Sequence, residues 1–175
     1  MSDAIETSLF ECRQTPVQVE QRFYLGMAIF ITVIVFLSFF GNFLAGHSSF
    51  NSPWWVHVHA ITFMGWIFLY LLQNVLVVSG CVAQHRKLGS VMGLWMVWMV
   101  FVGLALLPMS IATHRAPPPI FTAPFLLAMD GINVLVFGGL ILAGLKMRHR
   151  SDWHRRLMLG ATISIIAPAF GRMSS

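Results

Sequence analysis

The chain has 175 residues, of which 57% are hydrophobic and only 10% charged, with a mean hydropathy of +0.76. Soluble domains run about 45–50% apolar and about 25% charged, so the polar surface needed to face water is missing and a soluble catalytic domain is excluded. Most of the net charge of +5 sits in two short stretches, at Arg86 and Lys87 and at Lys146, Arg148, Arg150, Arg155 and Arg156. That is how positive-inside topology is written, and no nucleic-acid partner is expected.

Residues 1–22 are polar and acidic (Asp3, Glu6, Glu11, Glu20) and are expected to form a cytoplasmic N-terminal segment, with a transmembrane helix bundle over 23–175. A secretory signal opens basic and carries a short apolar core. The run Phe23–Leu44 follows an acidic stretch and is long enough to span, so it reads as a retained first helix. Apolar segments follow at Val58–Val78, Leu88–Met109, Ile120–Leu145 and Leu157–Phe170. The connectors are neutral at His47–Trp55, basic at Cys81–Lys87, Pro-rich through Pro117, Pro118 and Pro119, and strongly basic at Lys146–Arg156. Basic loops inside put the N-terminus in the cytoplasm and run helices one, three and five outward. Trp54 and Trp55 fit an interfacial aromatic belt.

The last segment would reach only about 21 Å at 1.5 Å per residue, short of the roughly 30 Å hydrocarbon core. It is expected to be short or truncated, with truncation favoured. The fold class is therefore an all-α integral membrane bundle of about five segments, in contact with the lipid bilayer. Cys12 and Cys81 both fall on the cytoplasmic side, where disulfides rarely persist, and read as free thiols.

Two inner loops carry nearly the same residues: His85-Arg86-Lys87-Leu88 opens helix three and His154-Arg155-Arg156-Leu157 opens helix five. An internal repeat would explain the match. A basic pair meeting anionic headgroups would explain the cations but not the histidines. Gly89 and Gly93 form a GxxxG in helix three, and Gly41 with Ala45 a looser version in helix one, as close helix packing uses.

Polar groups within spans usually face the bundle interior. His59, Phe63, Trp66, Tyr70, Gln73 and Val77 recur at three- and four-residue steps, which puts them on one face of helix two. Helix four adds Asp130 and Asn133. Asp130 either orients the His59 imidazole or bonds nearby backbone and Asn133. A small transporter would need a continuous polar path, for which His59, Gln73, Asp130 and Asn133 are the only candidates.

The seven histidines divide by depth. His47, His57, His59 and His114 lie toward the outer face, and His85, His149 and His154 toward the inner. Bis-imidazole haem requires one histidine from each of two facing helices at one level. An inner haem b would use His85 and His154, and an outer one His59 with His114 or His57. No helix, however, carries two histidines about four turns apart. A metal reading would combine His57 and His59 with His47 or His114, but on a helix the two rings of His-x-His point about 200° apart. The identity of any metal is left open. Met92, Met96 and Met99 read as helix filler.

Taken together, Arg22-Phe23-Tyr24, His57-x-His59, Trp66, Gln73, His85-Arg86-Lys87-Leu88-Gly89 and His154-Arg155-Arg156-Leu157-Met158-Leu159-Gly160-Ala161-Thr162 resemble a group of bacterial polytopic membrane proteins known as a domain of unknown function. More distantly, the His…Gln…His-Arg-x-Leu-Gly layout is similar to cytochrome b561-like bundles. The resemblance runs from Arg22 onward and implies a multi-pass protein of the bacterial inner membrane. Relatives of this type continue through further helices, which puts in doubt any site built from later ones. The expected function is a membrane subunit carrying b-type haem for electron transfer, with His59, His85, His154 and His114 as candidate ligands. The alternative is a non-catalytic accessory subunit packing against other subunits of a larger respiratory or photosynthetic complex.

Overall fold

A computed structural model of the chain describes residues 16–44, 46, 52–112 and 123–166. Cys12, His47, His114, the Pro117–Pro119 run and Arg172 lie outside them, so the expectations placed on those residues are not addressed. Five helices follow in chain order: α1 Pro16–Leu44, α2 Trp54–Val78, α3 Val82–Ala112, α4 Ala123–Lys146 and α5 Ser151–Ser164. No strand occurs among the described residues, and the all-α bundle is as the sequence implies. Four helices are long and apolar enough to cross a membrane, over Val17–Leu44, Trp54–Val78, Val82–Met109 and Ala128–Lys146. The 14-residue α5 is not.

Helices α1, α3 and α5 begin six or seven residues before the apolar segments that mark them. Backbone hydrogen bonding continues into the polar interface, where α1 is helical from Pro16 onward among the described residues. Likewise the basic stretches after Cys81 and Arg150 are first turns of helix as well as connectors. Between α2 and α3 the chain reverses in a Schellman turn. Gly80 adopts φ +75°, its N–H reaches Val77 O at 3.1 Å, and the Cys81 N–H reaches Leu76 O at 2.8 Å. Only a residue without Cβ takes this left-handed position readily. The tight reversal brings the end of α2 beside the start of α3.

Consecutive helices pack side by side, and α1 also touches α5, closing a ring. Ile31 and Val35 of α1, Trp66 and Ile67 of α2, Met92, Met96 and Met99 of α3, Phe137 and Ile141 of α4, and Ala161 of α5 form the core. Met99 is 1% exposed, in keeping with its reading as filler. Outside, Phe36, Leu37, Leu94, Phe101 and Leu135 are exposed, an arrangement stable only where the solvent is hydrocarbon. Polar side chains in the spans close on their own helix four residues back. Thr32 Oγ1 donates to Ala28 O, Ser38 Oγ to Ile34 O, and Asn74 Nδ2 to Tyr70 O, all at 2.8 Å. Such bonds satisfy the groups without water.

The closest helix approaches fall away from the GxxxG pair. A Cβ on Gly89 or Gly93 would meet Gln73 at 3.6 Å or Leu145 at 3.9 Å, ordinary contacts, and one on Gly41 would meet nothing within 4 Å. On Gly65 it would meet Trp95 Cζ2 at 2.9 Å, and on Gly103 Val134 Cγ2 at 2.8 Å. The Trp95 indole cannot retreat, because its Nε1–H donates to Thr62 O at 3.1 Å. Overpacking costs about 1–3 kcal/mol, against about 1 kcal/mol gained in helix propensity. Gly65→Ala should therefore lower the unfolding midpoint in detergent, whereas Gly139→Ala, which meets nothing, should raise it. Equal shifts in the two variants would refute the close approach.

Candidate functional site

Both basic connectors lie at one end of the bundle, with the start of α1. There the two matching His-Arg-x-Leu stretches fold alike. His85 is the fourth residue of α3 and His154 the fourth of α5. Each backbone N–H bonds the carbonyl four residues earlier, Cys81 O and Arg150 O, both at 3.0 Å. The shared register brings the two half-buried rings together, with centroids 6.4 Å apart and planes at 84°.

Each ring is anchored through Nδ1 to the preceding helix of its own hairpin. The His154 Nδ1–H donates to Gly144 O at 2.8 Å. Gly144 lies in the last turn of α4, where carbonyls lack helical partners. Met147 N–H serves Ala143 O and Arg148 N–H serves Leu145 O, which leaves the Gly144 carbonyl for the imidazole. On the other hairpin, Gln73 near the end of α2 is 7% exposed. Its carboxamide oxygen accepts from Gly89 N–H at 3.0 Å, while its nitrogen donates to His85 O at 3.2 Å and to His85 Nδ1. Both Nδ1 atoms are thus held by the protein.

Around this pair, Arg155 fixes α5 to α1. One guanidinium nitrogen lies 2.7 Å from both Glu20 Oε2 and Asp152 Oδ1, and the group sits 5.6 Å from the centre of the Tyr24 ring. Deeper in the bundle, Trp66 Nε1–H donates to Thr162 Oγ1 at 3.3 Å, and its indole meets Phe137 edge-on at 5.0 Å. Helix α5 is thereby held at both its basic end and its inner turn.

The expected inward stripe of α2 faces the interior: Trp66, Tyr70 and Gln73 are buried, and His59, Phe63 and Val77 half-buried. Of the candidate residues, His85, His154 and Gln73 are brought together. His59 stands near the other end of α2, about 21 Å from Gln73 along the axis, its ring 4.2 Å from that of Phe63. His57, Asp130 and Asn133 are half-buried, and His149 is exposed in the α4–α5 connection. Cys81 is a free thiol.

Gly144 carries no signal in the sequence, because it acts through its backbone carbonyl, which has no residue-type signature.

The donor set discriminates between ligands. Among the described residues no group of three or more His, Cys, Asp or Glu side chains could hold a bare metal ion. Two imidazoles suffice where a porphyrin supplies the remaining ligands. The bond from His154 Nδ1–H to the Gly144 carbonyl is the outer-shell support that metal-ligating histidines receive. Comparison with known protein families, characterised proteins and solved structures finds no match to this chain.

Proposed function

We propose that the chain is a membrane-embedded electron-transfer subunit that holds one b-type haem between His85 and His154. The supporting observation is the convergence of these two rings from separate hairpins, each held at Nδ1 by the protein. When bound, the haem supplies a one-electron couple. His154 presents Nε2 because Gly144 O holds its Nδ1–H, and Gln73 fixes the plane of His85. Arg155, through Glu20 and Asp152, keeps the first turn of α5 in place. The basic end lies on the cytoplasmic side of a bacterial inner membrane, where Arg86, Lys87, Arg148 and Arg156 meet anionic headgroups. His59 belongs to the opposite end of α2 and takes no part in this site.

A reduced-minus-oxidised absorption spectrum of the purified protein, with iron quantified on the same sample, tests the reading. A b-type band at about one haem per chain is expected. A flat spectrum without iron, from folded protein supplied with haem, would overturn it. The apolar outer faces would then stand as contact surface for other subunits of a larger complex.

A further inference from the structure

We propose that Gln73 is a positioning residue that sets which ring nitrogen of His85 carries its proton, so that ligand-free His85 and His154 are held in opposite tautomers. The consequence for ligation rests on the haem reading; the tautomers do not. A buried primary amide must satisfy both of its ends, and the neighbours of Gln73 dictate which end goes where. The Gly89 N–H can only donate and the His85 carbonyl can only accept, so the amide oxygen faces the first at 3.0 Å and the NH₂ faces the second at 3.2 Å. Reversed, the amide would set oxygen against oxygen and N–H against N–H.

The NH₂ also donates to His85 Nδ1. That nitrogen is therefore the acceptor, and the proton of neutral His85 is on Nε2. On the other ring the partner of Nδ1 among the described residues is a carbonyl, Gly144 O at 2.8 Å. A carbonyl cannot donate, so His154 carries its proton on Nδ1 and a lone pair on Nε2. One ring of the pair is ready to ligate as it stands and the other is not. Ligation through His85 Nε2 requires that proton to move to Nδ1 and the Gln73 amide to turn over. Gly89 N–H and His85 O are partners in the helix ladder of α3, so neither is stranded when the amide turns. Gln73 thus biases His85 against binding until the amide turns.

Gln73→Met isolates the effect. It keeps length and flexibility, removes donor and acceptor together, and leaves Gly89 N–H and His85 O as partners within α3. The readout is the ¹⁵N spectrum of histidine-labelled, haem-free full-length protein in detergent, at mildly alkaline pH above the ordinary histidine value. Resonances are assigned by their loss in His85→Asn and His154→Asn. The expected result is a protonated Nε2 on His85 and a protonated Nδ1 on His154, with Gln73→Met shifting only the His85 pattern toward a mixture. A protonated Nδ1 on wild-type His85 overturns the proposal, as does a His85 pattern unmoved in folded Gln73→Met. The wild-type spectrum decides by itself if the variant does not fold. A missing haem band in the absorption spectrum would leave these tautomer outcomes unaffected, so the two readings fail separately.

Discussion

Trp66→Ala is expected to lower the free energy of unfolding by about 3–5 kcal/mol, the range for removing a large aromatic from a packed interior. In lipid the loss has little to do with water. Helix association in a membrane rests on van der Waals packing and interhelical hydrogen bonds, and Trp66 supplies both. It is 0% exposed, meets Phe137 of α4 edge-on and donates to Thr162 of α5. Truncation leaves a cavity bordered by three helices. Trp66→Phe keeps most of the volume and gives up the indole N–H, so its cost should be near the 0.5–1.5 kcal/mol of one hydrogen bond. Unfolding by SDS titration of mixed micelles would resolve the two variants. Equal losses would mean that the hydrogen bond to Thr162, and not the packing, holds α5 in place.

His154→Ala and His85→Ala should each abolish the b-type band while leaving helix content unchanged. Loss of an outer-shell partner of a metal ligand typically costs about 10–100-fold in affinity, and loss of an axial imidazole should exceed that. His149→Ala is the control, because His149 is exposed and close in sequence but outside the pair. Haem titration of the three variants, followed by absorption and by iron content, checks the assignment. Retention of the band in either ring variant would exclude that ring as a ligand. Trp66→Ala should weaken haem binding only to the extent that α5 loosens, which separates support of the site from membership in it.

Much of this architecture can be read from residue order. Long apolar runs separated by basic words announce the spanning helices. The repeated His-Arg-x-Leu places two histidines at equivalent turns, and the stripe through Trp66, Tyr70 and Gln73 marks the inner face of α2. Helix starts are less legible, because hydropathy registers where lipid begins and not where hydrogen bonding begins, so α3 and α5 start about a turn ahead of the His85 and His154 that read as opening them. The Gly89–Gly93 spacing points to a close crossing that occurs instead at Gly65 and Gly103. Spacing identifies small residues, but the bulk opposite, Trp95 and Val134, decides where backbones converge. The anchors of the two rings differ in the same way. Gln73 stands out as a polar residue in a span, whereas any residue at position 144 would offer the same carbonyl.

The ion pair between Arg155 and Glu20 joins residues 135 positions apart in sequence, and that separation orders events during synthesis. Helix α1 enters the bilayer long before α5 has been translated, so through that interval the ring of helices stands open beside α1. It closes when the last hairpin folds back and Arg155 reaches Glu20 and Tyr24. His154 immediately precedes Arg155, so it meets His85 at the same step. Before that step only one of the two imidazoles is in place, and a ligand that needs both is admitted only to a protein whose α5 has docked.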